Sequence, residues 1–306
     1  MEGFVVAVDR GRYRCVVEGN PAPVTAMRAR ELGRRSVVVG DRVALVGDTS
    51  GRPGTLARIV RIAERTSVLR RSADDDVRPE GRVERVIVAN ADQLVIVSAL
   101  ADPPPRTGFI DRCLVAAYDA NIDPLLCLTK ADLAPPDEVL DYYAELDLPY
   151  LLVSPESDLD DVRRALAGRV SVLVGHSGVG KSTLVNRLVP GADRAVGEVS
   201  AIGRGRHTST NAVALRLPPV PGVEDPGWII DTPGVRSFGL AHVSPESLLH
   251  GFPDLVEGTL DCPPNCEHTA SSPNCALEAW VAEGHADPRR LASYRRLLAS
   301  RAGEIE

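Results

Sequence analysis

The stretch GHSGVGKST constrains the fold of this chain most, because it matches the phosphate-loop pattern Gly-x4-Gly-Lys-Ser. The strand-like run RVSVLVG precedes it, and a helical pattern follows until Pro190-Gly191. In such a context the glycines let backbone N–H groups surround a phosphate at a helix N-terminus. We therefore predict a nucleotide site formed by Gly175, His176, Ser177, Gly178, Val179, Gly180, Lys181, Ser182 and Thr183.

The chemistry of a nucleotide site assigns roles to several of these residues and to a second motif, WIIDTPG. Lys181 is predicted to reach the β- and γ-phosphates, and the Ser182 hydroxyl to bind Mg²⁺. Asp231 is placed to hold Mg²⁺ through water, and the Gly234 N–H to sense the γ-phosphate.

The Gly-rich run VGEVSAIGRGRHTSTN (196–211) lies between the two motifs. It is predicted to be a mobile switch loop in which Thr208, or another residue of 208–210, closes over Mg²⁺ and the γ-phosphate. An irregular loop without a catalytic role is the alternative.

The tetrapeptide TKAD ends the apolar run PLLCL and precedes the phosphate loop by more than forty residues. Asp132 can accept hydrogen bonds from both guanine N1–H and the exocyclic amine, and the Lys130 stem can cover the base. Of 35 basic residues only Lys130 and Lys181 are lysines. Because each lies in one of the two motifs, we predict one site that includes Thr129, Lys130, Ala131 and Asp132.

From about residue 83 the sequence alternates between strand and helix patterns, which is typical of a parallel sheet covered on both faces. The strand patterns are VERVIVA, QLVIVSAL, PLLCLTK, YLLVS and RVSVLVG. Helices are predicted at Ile110–Ala120, Asp137–Leu146 and Leu159–Ala167. After residue 243 two short helices are predicted, one from about Leu277 and one at Asp287-Pro288, an N-cap and N1 pair.

Residues 4–62 contain five short strand patterns, which predict a small β-barrel. An OB-fold is the leading prediction, with an SH3-like barrel or another β-domain as the alternative.

The net charge of the chain is −7, but residues 1–72 contain 14 arginines and seven acidic residues. A basic barrel joined to an acidic body favours polyanion binding by the barrel. The polar stretch 70–81 is predicted to be a linker.

Three of the six cysteines lie within fourteen residues of one another, in DCPPNCEHTASSPNC. Together with one histidine they predict a Cys₃His structural zinc site formed by Cys262, Cys266, His268 and Cys275. A reduced or redox-active cluster without metal is the alternative. Cys15, Cys113 and Cys127 lie in apolar patterns and are predicted core residues.

The order of base motif, phosphate loop, switch loop and DTPG resembles that of the circularly permuted GTPases. With the barrel and the cysteine cluster, the chain resembles the ribosome small subunit-dependent GTPase A family. GHSGVGKST, GRGRHTST, DTPGVR and the Cys–Cys–His–Cys tail carry this resemblance. It implies a GTPase that acts in late maturation of the small ribosomal subunit, is stimulated by that subunit, and binds rRNA. The implied domains are an OB-fold barrel at 1–72, a permuted GTPase domain at 82–242 and a zinc-binding helical domain at 243–306.

Two departures from the family's pattern, and one feature that fits that pattern, bear on activity. Thr129 replaces an asparagine, so one contact to the base or the phosphate loop is expected to be lost. Pro155 in VSPES has no N–H to offer guanine O6. Val235 follows DTPG where other GTPases have a glutamine, which implies slow intrinsic hydrolysis. The nearest titratable candidate in sequence is His207. A catalytic role, a contact with phosphate and anchoring of the switch loop on the ribosome are all open for it.

Composition limits the remaining possibilities. No apolar run approaches the ~18 residues of a membrane span, and the N-terminus lacks a signal-peptide pattern. We therefore expect a soluble, cytoplasmic protein, and a monomer. An RNA-binding module with a mainly structural guanine nucleotide site is the alternative function. TKAD disfavours an ATP-dependent small-molecule kinase.

Overall fold

The computed structural model describes residues 1–33, 36–78, 81–192, 212–232, 238, 240 and 242–302. Its strands form one continuous sheet of eleven strands, which includes a closed barrel, and a separate two-stranded ribbon. Among the described residues there is no helix long and apolar enough to cross a membrane.

The first five strands confirm the predicted barrel. They are β1 Glu2–Asp9, β2 Arg12–Val16, β3 Val24–Arg28, β4 Arg42–Gly47 and β5 Ala57–Ile62. The strands pair in the order β1-β2-β3-β5-β4, and β1 also pairs with β4, which closes the barrel. Alternate residues point inward, so that Val5, Cys15 and Ile59 are fully buried in its core.

The predicted linker at 70–81 is wrong for most of its length. β6 (Val68–Arg78) and β7 (Gly81–Ala89) form an antiparallel ribbon in which Val68 pairs with Ala89. β7 therefore lies outside the parallel sheet to which its apolar pattern had assigned it. Apolar residues at the base of the ribbon, such as Leu69 and Val88, are buried and begin the pairing, and the charged residues beyond them extend it.

The α/β part of the sheet has the predicted parallel architecture. Its strands are β8 Gln93–Ala99, β9 Asp123–Thr129, β10 Tyr150–Val153, β11 Val170–Val174, β12 Val213–Arg216 and β13 Trp228–Asp231. They follow the order β10-β9-β8-β11-β13-β12, parallel except for β12. The sheet continues into the barrel through the pairing of Ala7 in β1 with Val213 in β12.

Helices cover both faces of this sheet. They are α1 Thr107–Asp119, α2 Asp137–Tyr142, α3 Asp160–Leu166 and α4 Lys181–Leu188. Strand β8 is buried along its whole length, and its side chains alternate between two cores. Leu94 and Ile96 belong to the core that includes α1, whereas Val95 and Val97 belong to the core that includes α3 and α4.

The C-terminal region is helical and packs against α1. It contains α5 Pro245–Leu248, α6 Pro253–Val256, α7 Leu277–Ala282 and α8 Pro288–Ala302. Asp287 confirms the predicted N-cap, since its carboxylate accepts the Arg289 N–H at 2.7 Å.

A buried charge network joins α8 to α1 and α6. Arg290 is 2% exposed, and its Nε and Nη2 donate to the Asp254 carboxylate at 2.8 Å each. Its Nη1 lies 3.9 Å from Oδ1 of Asp111, which is fully buried and accepts hydrogen bonds from Tyr143 and Ser293. The network fixes the position of the C-terminal helix on the sheet.

Candidate nucleotide site and metal centre

The predicted nucleotide-binding motifs meet at one edge of the parallel sheet. β9 ends at Thr129, β11 at Val174 and β13 at Asp231, and all three strands run in the same direction. Their carboxyl ends therefore share an edge, where ligands of open α/β sheets bind. TKAD can contribute to the same site although it precedes the phosphate loop in sequence, because the two motifs need only follow strands that are neighbours in the sheet.

The phosphate loop has the backbone that its glycines predict. Gly178 and Gly180 adopt positive φ angles of 84° and 85°, a conformation that residues with a Cβ rarely adopt. A Cβ on Gly175 would lie 2.7 Å from the Val97 carbonyl oxygen of β8. α4 starts at Lys181 with no side chain capping its first N–H groups, so these donors face the loop.

Lys181 and Asp231 form an ion pair at the centre of the site. Their side chains are 10% and 18% exposed, so each charge is partly removed from water. Ser182 and Thr183, which follow Lys181 on α4, are exposed at the same edge. The adjoining Thr232 hydroxyl donates to the Leu173 carbonyl at 2.7 Å and holds the end of β13 beside β11.

Thr129 contacts the phosphate loop directly. Its hydroxyl donates to the Val179 carbonyl oxygen at 2.6 Å, and its side chain is buried next to Gly180. The shorter side chain that replaces asparagine thus keeps a contact to the phosphate loop. TKAD and the phosphate loop form one unit.

Lys130 and Asp132 lie at the opening of the site. Lys130 has a left-handed backbone (φ 55°), and its Nζ donates to the carbonyl of Asp102. Asp132 is exposed, and the neighbouring Ala131 N–H donates to the Val153 carbonyl at 3.2 Å. The Lys130 stem and the Asp132 carboxylate are therefore available at the surface of the loop.

Residues 102–109 flank the phosphate loop, although no sequence motif pointed to them. The Phe109 ring lies 4.2 Å from the His176 imidazole, centroid to centroid. Pro103 is the nearest neighbour of Gly178, at 3.5 Å from the position of a Cβ there. A small cavity between these groups is lined by Ser98, Pro104, Arg106 and Val179 among others.

The loop after β10, which contains Pro155, is tied to α4. Arg187 donates through Nη1 to the Ser154 carbonyl at 2.9 Å and through Nη2 to the Ser157 carbonyl. Nothing in the sequence singled out Arg187, since an arginine in a helix behind a phosphate loop has no motif of its own.

The whole predicted switch loop 196–211, which includes His207 and Thr208, lies outside the described residues, and so do Gly234 and Val235. Their roles stay predictions from the sequence.

The four predicted metal ligands converge. The sulfur and nitrogen ligand atoms of Cys262, Cys266, His268 and Cys275 all lie within 4.8 Å of one another. The Cys262 sulfur is 4.0 Å from the Cys275 sulfur, and His268 Nδ1 is 3.5 Å and 3.8 Å from these two sulfurs. A tetrahedral ion with ordinary Zn–S and Zn–N bonds separates its ligands by about 3.6 to 3.8 Å. The cluster can therefore hold a metal ion.

The protonation states of Cys262 and His268 bear on metal binding by this cluster. Burial raises the pKa of Cys262 to about 11, so its thiol is protonated at neutral pH without a metal, and binding a cation would release that proton. Burial, followed by the charge of Arg295, lowers the pKa of His268 and favours the neutral imidazole that binds metals. Burial raises the pKa of Cys15 and of Cys127 to about 12, as expected for core thiols.

The chain is similar to known proteins over most of its length. A family model described as RsgA GTPase matches residues 62–241. The "Small ribosomal subunit biogenesis GTPase RsgA" of Pseudomonas aeruginosa is 40% identical over 275 residues, covering 87% of this chain and 76% of the relative. The protein of the same name from Chlorobaculum parvum is 35% identical over 313 residues, 98% of each chain.

Two solved structures share the fold. The crystal structure of YjeQ from Thermotoga maritima has a TM-score of 0.68 and 24% identity, covering 99% of this chain and 98% of its own. YloQ, described as a circularly permuted GTPase, has a TM-score of 0.68 and 23% identity, covering 100% and 96%. The motif order of this chain is thus that of a permuted GTPase fold.

Proposed function

This chain belongs to the RsgA GTPase family and is a GTP hydrolase, and we propose that it hydrolyses GTP during late maturation of the small ribosomal subunit. Relatives at 35% to 40% identity are named small ribosomal subunit biogenesis GTPases. The observation that carries the proposal is the meeting of Lys181, Asp231 and the TKAD loop at one edge of the sheet.

Phosphate binding is assigned to the loop Gly175–Thr183 and to Lys181. With GTP present, the ammonium of Lys181 would exchange its contact with Asp231 for the β- and γ-phosphates. The Ser182 hydroxyl and the Asp231 carboxylate are oxygen donors of the kind that Mg²⁺ prefers, and Thr208 would complete the set. When bound, Mg²⁺ would neutralise charge that develops on the phosphates. Gly234 N–H would sense the γ-phosphate.

Guanine recognition is assigned to residues 129–132. Asp132 would accept from N1–H and the exocyclic amine, a pattern of donors that adenine does not offer. Lys130 would cover the base, and Thr129 would keep this loop in register with the phosphate loop through its 2.6 Å hydrogen bond.

We assign the Cys–Cys–His–Cys cluster to one structural Zn²⁺. Three thiolates and one imidazole match the ligand preference of zinc, and four protein ligands leave no open position for catalysis. The cluster lies between α6 and α7, in a segment with short helices whose fold a metal would hold together.

Contact with the subunit is assigned mainly to the barrel, because residues 1–72 carry a net charge of +7. Backbone phosphates of rRNA are the matching partner. Three of the C-terminal arginines are less available to phosphates, because Arg290 is buried on Asp254 and Arg289 and Arg295 pair with Asp287 and Glu278. We propose domain limits at 1–72, 82–242 and 243–306. We also propose that the protein is cytoplasmic and monomeric.

Hydrolysis needs a group that orients the attacking water. Val235 cannot do so, which leaves His207 in the switch loop as our candidate. Docking on the subunit would bring His207 to the γ-phosphate and accelerate a slow intrinsic reaction.

Phosphate release from GTP, measured with and without purified small subunits, tests the proposal. We expect slow release from the free protein, a marked increase with subunits, and loss of both in Lys181→Ala. Arg164→Ala, which alters an exposed ion pair with Asp161 outside these motifs, is the control and should match the original protein. Absence of release even with subunits would refute the proposal and favour a structural nucleotide site.

A further inference from the structure

Strand β10 forms one end of the eleven-stranded sheet, and the barrel forms the other end. Among the strands that the structure describes, β10 pairs with β9 alone. The Pro149 and Val153 carbonyls point toward β9 and the loop after it, where they accept N–H groups at 2.9 and 3.2 Å. Because backbone groups alternate in direction along a strand, those of Tyr150 and Leu152 point away from β9, to the free edge of the sheet.

The side chains of Tyr150 and Leu152 leave apolar surface exposed at this free edge. Tyr150 is 47% exposed and Leu152 is 44% exposed. Their neighbours in β9 are Leu126 and Leu128, which are buried in the core. The apolar face of the sheet therefore continues from the core to the free edge. One more strand at this edge would cover both side chains and pair with their backbone groups.

The segment 132–161, which contains β10, is strongly acidic. It holds ten aspartates and glutamates and no lysine or arginine. All ten acidic residues are exposed. Glu145 and Asp147 precede the strand, and Glu156 and Asp158 follow it, so carboxylates flank the free edge at both of its ends. The electrostatic potential of this surface favours a cationic partner.

The same charges select among the molecules that could occupy the edge. Two copies of this chain that paired through β10 would bring two acidic segments together, and RNA phosphates would also be repelled. An extended basic polypeptide meets the requirements of the surface. Its backbone can pair with the strand, its alternate apolar side chains can cover the exposed apolar face, and its cationic side chains can approach the carboxylates.

We propose that the free edge of β10 binds an extended, basic segment of a protein partner by strand addition. The segment pairs with the backbone groups of Tyr150 and Leu152 and covers their side chains. This surface lies at the end of the sheet opposite to the barrel, so a partner bound here leaves the barrel accessible. The proposal goes beyond the proposed function and does not depend on GTP hydrolysis.

Binding of synthetic peptides to the full-length protein tests strand addition. The first peptide alternates arginine and valine over about ten residues, the upper range of strand lengths. Two further peptides have the same sequence, with backbone N-methyl groups on every valine in one and on every arginine in the other. Methylation removes N–H donors and keeps the charge.

Only one side of an added strand faces β10, so the two methylated peptides should differ. One should bind at least about tenfold more weakly than the unmodified peptide, since about two hydrogen bonds are lost, and the other should match it. Absence of binding by the unmodified peptide, equal affinities of all three peptides, or equal losses in both methylated peptides would each overturn the proposal.

Leu152→Pro tests the same contact from the side of the protein. Proline is tolerated in an edge strand where the N–H faces solvent, and it removes a donor from the free edge. The variant should bind the unmodified peptide about fivefold more weakly or worse. Leu152→Val keeps the N–H and an apolar side chain and is the matched control. Unchanged affinity in Leu152→Pro would refute strand addition, and if this variant does not fold, the methylated peptides decide.

Two double variants test the role of charge. Glu145→Gln/Asp147→Asn removes two carboxylates beside the strand and should weaken peptide binding severalfold at low salt and less at high salt. Glu2→Gln/Glu18→Gln removes two exposed carboxylates near the barrel and should leave the affinity unchanged. Equal losses in both would show that the peptide responds to net charge alone, against the proposal. A dimer in sedimentation that Leu152→Pro abolishes would assign the edge to a second copy instead.

Discussion

Arg290→Ala is expected to release the C-terminal region from the sheet at a large cost in stability. The substitution removes a bidentate contact to Asp254, a hydrogen bond to the Gly251 carbonyl and a stacking contact with Phe252, 4.9 Å from the ring centroid. Asp254 and Asp111 would remain buried without their cation. Breaking a buried ion pair by removing one partner costs about 3–5 kcal/mol, because the remaining charge is uncompensated.

The neighbouring arginine supplies the matched control. Arg289 is paired with Asp287 at the surface and its side chain is 55% exposed, so Arg289→Ala should change the free energy of unfolding by less than ~1 kcal/mol. The double variant Arg290→Ala/Asp254→Ala should cost less than the sum of the single changes. Each single change leaves the other residue of the pair charged and buried, whereas the double variant removes both.

The effect should depend on pH. Burial raises the pKa of Asp111, opposed by the Ser293 hydrogen bond and the Arg290 charge. A carboxyl whose folded pKa exceeds its unfolded value destabilises the fold above that folded pKa, and protonation relieves the cost. Without Arg290 the pKa of Asp111 rises further. The stability difference between Arg290→Ala and the original protein should therefore shrink as pH falls through the folded-state pKa that Asp111 has in the variant.

Urea denaturation followed by tryptophan emission measures these differences. The chain has two tryptophans, so a Trp228→Phe background leaves Trp280 as a reporter in the cysteine-rich region. Its indole donates to the Asp254 carbonyl at 2.9 Å and therefore reports on the segment that the network holds. A loss below ~1 kcal/mol for Arg290→Ala, or a loss equal to that of Arg289→Ala, would refute the reasoning.

Four further outcomes can be measured directly. Asp132→Asn should shift base preference from guanine toward xanthine nucleotides, because the amide adds a donor; unchanged GTP affinity would mean that TKAD does not read the base. Elemental analysis of freshly purified protein should find one zinc per chain, and protein with none would contradict the structural metal site. Deleting residues 1–72 should weaken small-subunit binding and flatten its dependence on salt, as expected when phosphate contacts are lost; unchanged affinity would place the RNA surface elsewhere. His207→Ala should keep nucleotide binding and lose most subunit-stimulated turnover, whereas normal turnover would assign the catalytic group to the backbone or to the subunit.

The sequence by itself determined the features that depend on contiguous residues. Gly178 and Gly180 were predictable because a phosphate loop needs backbone angles that other residues avoid. The five barrel strands and the helix start at Asp287-Pro288 were predictable from alternation and capping, which are local rules. The Cys–Cys–His–Cys cluster was predictable because its four residues lie within fourteen positions and carry donor atoms that suit zinc.

The tertiary structure alone decided contacts between residues far apart in the chain. Thr129 meets Val179 across fifty residues, Arg187 meets Ser154 across 33, and Ser293 meets Asp111 across 182. Whether a shorter threonine keeps its contact depends on how closely two loops approach, which no local pattern encodes. The ribbon of β6 and β7 also required tertiary context, because its charged residues lack an alternating pattern, whereas Leu69 and Val88 at its base are buried in the core of the molecule. Local sequence patterns predict the secondary structure that a segment can form. Which distant segment it contacts depends on the packing of the whole chain.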